Sequence, residues 1–203
     1  MQESTAQGSH THDSTTQEFS ASDIQDKIRR MLIRGVADPK HDWHWPVLAT
    51  ATMHDQPEAF ARVVVLRAWN AQTNRFEIHS DARAEKLHQL QAQPAVSTLL
   101  FYDARSRTQL RVRAQSQVHV NDEISSAAWQ KLSSRGREQD RGAWAPGSPL
   151  SQHAGVQAFE GQHFAVIALR AFEFDYLHLA REGHVRVRFT FDGGSWLAVQ
   201  LVP

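Results

Sequence analysis

Apolar and polar residues alternate over much of the chain beyond residue 46, which is the pattern of half-buried β-strands. The segment from 109 to 120 shows this alternation most clearly. Its two faces carry different chemistry, with Leu110, Val112, Ala114 and Val118 on one side and Gln109, Arg111, Arg113 and Gln115 on the other. The same pattern predicts strands over residues 47–53, 59–69, 75–80, 96–102, 109–120, 164–174, 185–191 and 196–202.

Helical spacing of apolar residues appears at the start of the chain and between some of these strands. A first helix is predicted to begin near Ser22, where Ser22 and Gln25 fit a capping box, and to end at Gly35 and Pro39. Further helices are predicted over residues 84–92 and, capped by Asn121 or Asp122, up to about residue 132.

Turns rather than helices connect most of the predicted strands, and Gly193-Gly194 is a typical hairpin signal. This organisation predicts a mainly β (α+β) fold, an antiparallel barrel with a few flanking helices, rather than a doubly wound parallel sheet. Residues 1–20 are almost entirely polar, so we expect a disordered tail before a single domain spanning 21–203. The irregular stretch 133–162 is expected to be functional or mobile.

Composition excludes several classes of partner. The 22 basic and 22 acidic residues cancel, whereas nucleic-acid-binding domains usually carry a strong basic excess. Cysteine is absent, so neither disulfides nor thiol chemistry is expected. No apolar run approaches the roughly 20 residues of a membrane span, and no secretory signal is visible. We therefore expect a cytoplasmic protein without a nucleic-acid or membrane partner.

Basic residues mark a candidate site for a small anion. Arg62 and Arg67 flank an apolar strand, and Arg83 and Lys86 lie three residues apart at a predicted helix start. Cations at a helix N-terminus are repelled by the positive end of the helix dipole. A bound anion such as phosphate would offset this repulsion. The alternative is structural: arginines that reach solvent past a core strand, and a solvated first helical turn.

Other chemistry has less support in the sequence. His41 and His44 could share a metal ion, but no further ligand is suitably spaced, and no metal site is predicted. No Ser-His-Asp order or paired carboxylates stand out. If the protein is an enzyme, a cofactor is expected to supply the difficult chemistry.

Six short segments occur in the order and at the spacing found in the pyridoxamine 5'-phosphate oxidase family, which the chain resembles from about residue 43 onward. They are Arg62-x-Val-x-Leu-Arg67, Ser80-x-x-Arg83-x-x-Lys86, Gln109-Leu-Arg-Val, Gly142-Ala-Trp144, Glu173-Phe174 and Arg188-Phe189. The resemblance implies an FMN-binding split β-barrel and a homodimer, with FMN lying in the subunit interface.

The resemblance also implies a role for individual residues. It places Arg62, Val63, Val64 and Leu66 against the flavin and ribityl chain, and Arg67 by the phosphate or the flavin edge, where lysine is usual. It assigns the phosphate to Ser80, next to His79, and to Arg83 and Lys86. It places Gln109 and Arg188 near the isoalloxazine ring.

Departures from the family pattern concern the substrate side. Trp129 stands where a tyrosine is usual, Asp175 replaces a tryptophan, and His184-Val-Arg186 reverses an Arg-x-His motif. The resemblance therefore implies an FMN-dependent oxidoreductase acting on an unidentified small molecule, in an oxidase-related branch rather than among the true vitamin B6 oxidases. The alternative is a non-catalytic split-barrel module that binds FMN, haem or another planar ligand.

Overall fold

The strands of the described residues form one antiparallel sheet. The computed structural model describes residues 20–52, 58–91, 96–139, 144–149, 151, 161–181 and 183–203. The helices are α1 (Ala21–Ala37), α2 (Glu85–Gln91), α3 (Glu123–Lys131) and α4 (Ser134–Gln139). The strands are β1 (Val47–Thr52), β2 (Glu58–Val63), β3 (Ala68–Asn70), β4 (Arg75–Asp81), β5 (Val96–Asp103), β6 (Thr108–Val120), β7 (Phe164–Leu179), β8 (His184–Phe191) and β9 (Trp196–Leu201).

Strand β7 organises the sheet because one of its edges is divided between two partners. The main strand order is β2-β1-β5-β6-β7-β4-β3, and β8 and β9 branch from β7. Residues 164–170 of β7 pair with β4, and residues 173–179 pair with β8. The register against β6 shifts at this fork, between Arg113 and Ala114. The mainly β, antiparallel fold predicted from the alternation is confirmed.

The main core lies between one face of this sheet and the helices α1 and α2. Leu32 and Trp43 at the α1 end are fully buried, together with Leu110 and Val112 of the alternating strand β6. A smaller core forms on the opposite face of β7, where Phe164 and Val166 pack against α3. Strand β7 is therefore covered on both faces over its first half, which explains its nearly continuous apolar sequence.

Helix α1 differs in detail from its prediction. Ser20 rather than Ser22 is the N-cap, since its hydroxyl accepts a hydrogen bond from the Asp23 amide. Gly35 does not end the helix but lies inside it. A Cβ atom at Gly35 would lie 2.9 Å from the Trp43 carbonyl oxygen, so this glycine permits close packing of the following segment.

Two strand predictions also need correction. The predicted strand 59–69 is divided, because residues 64–67 leave β1 and cross toward β4. Along this crossing the Leu66 amide donates to the His44 carbonyl, and the Arg67 amide donates to the Glu77 carbonyl. The predicted strand 164–174 continues to Leu179, since its second half pairs with β8.

Other predicted regions have mixed outcomes. The predicted hairpin at Gly193-Gly194 is confirmed between β8 and β9, closed by a hydrogen bond from the Asp192 amide to the Ser195 carbonyl. The predicted tail lies outside the described residues up to residue 19, as does much of the stretch 133–162. Within the described ranges, no helix has the length and apolar character needed to cross a bilayer.

Candidate functional site

Arg62 is held in a hydrogen-bonded network beside α2. Its guanidinium donates to the Thr50 hydroxyl at 2.6 Å and to the side-chain oxygen of Gln89 at 2.9 Å. A longer bond of 3.3 Å reaches the Leu48 carbonyl. Thr50 and Gln89 are themselves buried. Arg62 is therefore fixed in position by the core rather than extending freely into solvent.

Lys86 lies in the first turn of α2 and comes close to Arg62. Burial, followed by the positive charge of Arg62, lowers the pKa of the Lys86 ammonium group, while Asp81 acts in the opposite direction. Burial also lowers the pKa of Arg62, against the influence of Glu85. Two partly desolvated cations at one place are unfavourable unless an anion joins them. This pairing is the strongest local sign of an anion site.

Arg83 is engaged with a carboxylate of its own chain. Its Nε and Nη2 atoms donate to the two carboxylate oxygens of Asp81 at 3.0 and 2.6 Å, and Nη2 also reaches the Trp144 carbonyl. This bidentate contact raises the pKa of Arg83. The Ser80 hydroxyl donates to the Asp81 carbonyl at 3.3 Å. Arg83 and Lys86 are both only partly exposed.

The segment after β2 places its residues on different sides of the sheet. Val64 and Leu66 are buried in the main core, whereas the Val63 side chain is 61% exposed. Arg67 is partly buried, and its Nε atom has no hydrogen-bond partner among the described residues. A buried guanidinium nitrogen without an acceptor is costly. Arg67 thus has an unused donor, whereas Val64 and Leu66 serve the core.

His79 is braced by a carboxylate on its own strand. Its Nε2 atom lies 2.9 Å from Glu77, and its ring packs edge-on against Phe164 at 4.8 Å between centroids. The hydrogen bond from His79 is the main reason why the pKa of Glu77 is lowered. The other ring nitrogen, Nδ1, is buried without a partner in the part of the chain that is described.

A second basic region surrounds Asp175 on β7. Arg186 donates two hydrogen bonds to this buried carboxylate, at 3.0 and 2.8 Å. In the sheet register Arg111 and Arg188 lie directly opposite Asp175 on its two neighbouring strands. Three arginines thus surround one aspartate, and the Arg188 Nε atom has no acceptor in the described ranges. The region carries surplus positive charge.

Gln109 joins this second region through Arg111. With its amide oxygen turned toward Arg111, Gln109 accepts from the Nε atom at 2.8 Å. The polar face predicted for residues 109–115 is therefore confirmed, and Arg111 lies opposite Asp175 as Arg188 of β8 does. Sequence reasoning missed Asp175 as the common centre of Arg111, Arg186 and Arg188. That relationship depends on a register that the sequence does not specify.

One row of side chains connects this region with Val63 across the outer face of the sheet. Residues in register from strand to strand lie on the same face. The row consists of Val63, Val47, Leu100, Arg111, Asp175, Arg188 and Val199. Val63 is 61% exposed and Val199 is 57% exposed at its two ends. The outer face thus presents apolar side chains next to the arginines.

Ser80 of the first basic region and Gln109 of the second are far apart within one chain. Ser80 pairs with Ala165 near the start of β7, and Gln109 pairs with Leu177 near its end. Twelve residues of strand separate these positions, which corresponds to roughly 40 Å at ~3.3 Å per residue. Ser80 and Gln109 are therefore not brought together by a single chain, whereas Arg62 is adjacent to Val63, the end of the row that contains Arg111.

The histidines singled out as metal candidates have structural partners instead. His44 bonds to the Gly35 carbonyl through Nδ1 at 2.7 Å, and His41 accepts from the Trp43 amide. Within the described residues, no group of three or more His, Cys, Asp or Glu side chains could hold a metal ion. These contacts give the two histidines a role at the end of α1.

Comparisons with known proteins identify a related domain. The family model described as pyridoxamine 5'-phosphate oxidase, FMN-binding domain, matches residues 25–120. No curated protein matches the chain in sequence. The matched range contains Arg62, Ser80, Lys86 and Gln109, but not Arg188.

Solved structures share the fold over nearly the whole chain. A pyridoxamine 5'-phosphate oxidase-related, FMN binding protein from Nostoc punctiforme PCC 73102 is 23% identical, with a TM-score of 0.73 over 91% of this chain and 100% of that one. PhzG from Burkholderia lata 383, solved with tetrahydrophenazine-1-carboxylic acid, is 17% identical, with a TM-score of 0.66 over 89% and 92%. ChuZ from Campylobacter jejuni is 12% identical, with a TM-score of 0.52 over 92% and 66%. At these identities the likeness shows the fold, and the expected split β-barrel is confirmed.

Proposed function

This chain belongs to the pyridoxamine 5'-phosphate oxidase-like family, and we propose that it is an FMN-binding flavoprotein acting as an FMN-dependent oxidoreductase. The observation that carries this proposal is the close approach of Arg62 and Lys86 beside α2. Burial lowers the pKa of both cations and Arg62 further lowers that of Lys86, so the pair gains most from a bound dianion. The phosphate of FMN has this charge.

The residues around α2 fit the phosphate end of the cofactor. Arg62 is held in place by Thr50 and Gln89, so little conformational freedom is lost when it binds. Lys86 would supply a second positive charge. The Ser80 hydroxyl would supply a further donor, because its hydrogen bond to the Asp81 carbonyl is long, at 3.3 Å. Arg83 would contribute while remaining tied to Asp81. His79 and Arg67, each with an unused buried nitrogen, fit the neighbouring part of the ligand.

The region around Asp175 fits the flavin ring. Gln109 and Arg111 offer amide and guanidinium groups there, and Arg188 has a free Nε donor in the described part of the chain. Positive charge near the ring of a flavin favours its reduced form and so tunes its electronics. The buried Asp175 carboxylate orients Arg186 through two hydrogen bonds, which keeps this charge ordered.

A homodimer would reconcile the separation of the two regions. Because about 40 Å of strand lies between Ser80 and Gln109, one FMN can meet both of these residues only if two chains contribute. The row from Val63 to Val199 offers a suitable surface, since it combines exposed apolar groups with arginines. A C2 arrangement would then create two equivalent sites in one interface.

Bound FMN would accept a hydride from a small-molecule substrate. The protein would bind and orient the flavin and tune its electronic properties. The substrate remains unassigned. The alternative, a module that only holds FMN, haem or another planar ligand, predicts binding without turnover. Steady consumption of a reductant by the FMN-loaded protein distinguishes the two.

The cofactor assignment is tested by titrating the apoprotein with FMN and with riboflavin and following flavin fluorescence. Riboflavin has the same ring but no phosphate. We expect FMN to bind about ten- to a hundred-fold more tightly, the worth of one charge-assisted contact or more. Equal affinities would refute the assignment of the phosphate to Arg62 and Lys86. Absence of binding by both flavins would refute the proposed function as a whole.

A further inference from the structure

Arg75 and Arg170 face each other directly across β4 and β7. They are paired in the antiparallel register, so both side chains lie on the same face of the sheet. Directly opposite residues in such a pair have Cβ atoms only about 4.5–5.5 Å apart, and like charges at this position are destabilising. Folding alone does not account for two arginines there.

No carboxylate within the described residues neutralises either arginine by an ion pair. Their neighbours in the same row are uncharged, Asn70 beside Arg75 and Gln115 beside Arg170. Glu77, two residues along β4 from Arg75, hydrogen-bonds to His79 at 2.9 Å, and Arg75 is the last of the charges that lower the pKa of Glu77, so this carboxylate offsets the charge of Arg75 only weakly. The two guanidinium groups therefore form a concentrated positive charge.

Asp192, the acidic residue of the β8–β9 hairpin, also has hydrogen-bond partners of its own. One carboxylate oxygen of Asp192 accepts hydrogen bonds from the amides of Gly194 and Ser195, at 3.1 and 2.9 Å. This contact closes the β8–β9 turn. Neither Arg75 nor Arg170 makes an ion pair with this carboxylate in the described structure. Asp192 thus serves the turn rather than the arginine pair.

A cavity of about 500 Å³ lies over this pair, at the point where β4 and β8 diverge from β7. The β3–β4 turn forms one wall through Gln72 and Thr73, and the β8–β9 hairpin forms another through Phe191. The Ala171 amide bonds to the Asn74 carbonyl at 2.8 Å and fixes the turn against the fork. The cavity therefore combines two cations, polar side chains and one aromatic surface.

The cavity is separate from both regions assigned to FMN. Arg75 pairs with Arg170, whereas Ser80 pairs with Ala165, so five residues of β7, roughly 16 Å, separate the two positions. In the other direction, seven residues separate Arg170 from Leu177, the partner of Gln109, which corresponds to roughly 23 Å. A ligand here would be an additional one.

We propose that Arg75 and Arg170 form a second anion-binding site for a phosphorylated small molecule. The planar forks of two adjacent guanidinium groups match the oxygens of a phosphate or diphosphate. Thr73 and Gln72 add neutral polar groups, and Phe191 offers a surface for the organic part of the ligand. The anion would also relieve the repulsion that the register imposes.

Inorganic pyrophosphate is a suitable probe, measured by isothermal titration calorimetry on the full chain at constant ionic strength. We expect Arg75→Gln and Arg170→Gln each to weaken pyrophosphate binding about ten- to a hundred-fold. Arg105→Gln, which changes an exposed arginine in the β5–β6 turn, is the matched control and should bind as the wild type does. Both test variants should melt no lower than the wild type without ligand, because each removes a like-charge contact.

Lys86→Ala distinguishes this site from the phosphate site assigned to FMN. We expect Lys86→Ala to retain the pyrophosphate affinity that the Arg75 and Arg170 variants lose. Loss of binding in Lys86→Ala alone would place the probe at α2 and overturn the proposal. Unchanged affinity in the two arginine variants, or no binding to the wild type, would also overturn it, without bearing on whether FMN binds.

Discussion

Lys86 lies beside Arg62 at the start of α2, although both side chains are cations. Burial and the neighbouring guanidinium together lower the pKa of Lys86, while Arg62 is fixed by hydrogen bonds to Thr50 and Gln89. Asp81 and Glu85 oppose these two charges only in part, since the pKa values of both cations are still lowered. A bound phosphate would remove this imbalance, so the first predictions concern these residues.

Replacing Lys86 by alanine should weaken FMN about ten- to a hundred-fold, since a charge-assisted contact contributes about 1.5–3 kcal/mol. The fold should be retained, because Lys86 makes no hydrogen bond or ion pair with another described residue. Lys40→Ala, at an exposed position after α1, is the control and should bind FMN normally. Fluorescence titration measures both. Wild-type affinity in Lys86→Ala would remove this residue from the site.

Replacing Arg83 by alanine should weaken FMN less than the Lys86 change does. Its guanidinium already donates to both oxygens of Asp81, so much of its charge is compensated before any ligand binds. The partner variant Asp81→Asn should strengthen FMN binding, because it releases that positive charge. A larger effect for Arg83→Ala than for Lys86→Ala in the same titration would contradict this ranking.

Dimer formation is predicted to depend on Val63. Changing Val63 to arginine places a new charge at the apolar end of the row that includes Arg111 and Arg188, and it should shift a dimer toward monomer. Ile33→Arg is the control, since Ile33 on α1 is similarly exposed. Light scattering reports the mass of each variant. A wild-type monomer that still binds FMN tightly would refute the dimer.

The FMN-loaded protein should not oxidise pyridoxamine 5'-phosphate or pyridoxine 5'-phosphate. Arg186, the arginine of the altered late motif, already donates two hydrogen bonds to the buried Asp175 carboxylate, so these donors are not available to a substrate phosphate. Anaerobic stopped-flow mixing should leave the flavin absorbance unchanged. Dithionite, which reduces free flavins, is the positive control. Rapid bleaching by either ester would place the chain among the vitamin B6 oxidases.

A fifth prediction concerns Gly35. Alanine normally stabilises a helix by up to about 1 kcal/mol relative to glycine. At Gly35, however, the new Cβ would meet the Trp43 carbonyl at 2.9 Å, so Gly35→Ala should lower the free energy of unfolding by about 1–3 kcal/mol. Gly136→Ala in α4, where the nearest atom lies at 3.4 Å, should not destabilise. Urea denaturation compares them, and equal stability of the two variants would refute the contact.

Local patterns in the sequence were sufficient to predict most of the fold. Alternation identified β6 with its polar and apolar faces, and the glycine pair identified the last hairpin. The interruption after Val63 was missed because residues 64–67 are as apolar as a strand, and only their hydrogen bonds to Pro46, His44 and Glu77 show the crossing. Gly35 was misread because its role depends on Trp43, which packs against it from a later segment.

The candidate site was predictable where its residues are close in sequence. Arg83 and Lys86 were identified from spacing alone, although the bidentate contact between Arg83 and Asp81 was not. The cluster around Asp175 could not be predicted, because it requires the pairing of β6, β7 and β8 in one register. Electrostatic partners set by long-range pairing leave no periodic signal along the chain.

The division of one β7 edge between β4 and β8 determines how this strand unfolds. Both edges of this strand are hydrogen-bonded along nearly its whole length, so its amides should exchange with solvent deuterium mainly through global unfolding. The segments on either side of the fork then belong to one cooperative unit. A ligand that binds near β4 would slow deuterium uptake in β8 as well, although the two strands are not paired with each other in the described sheet.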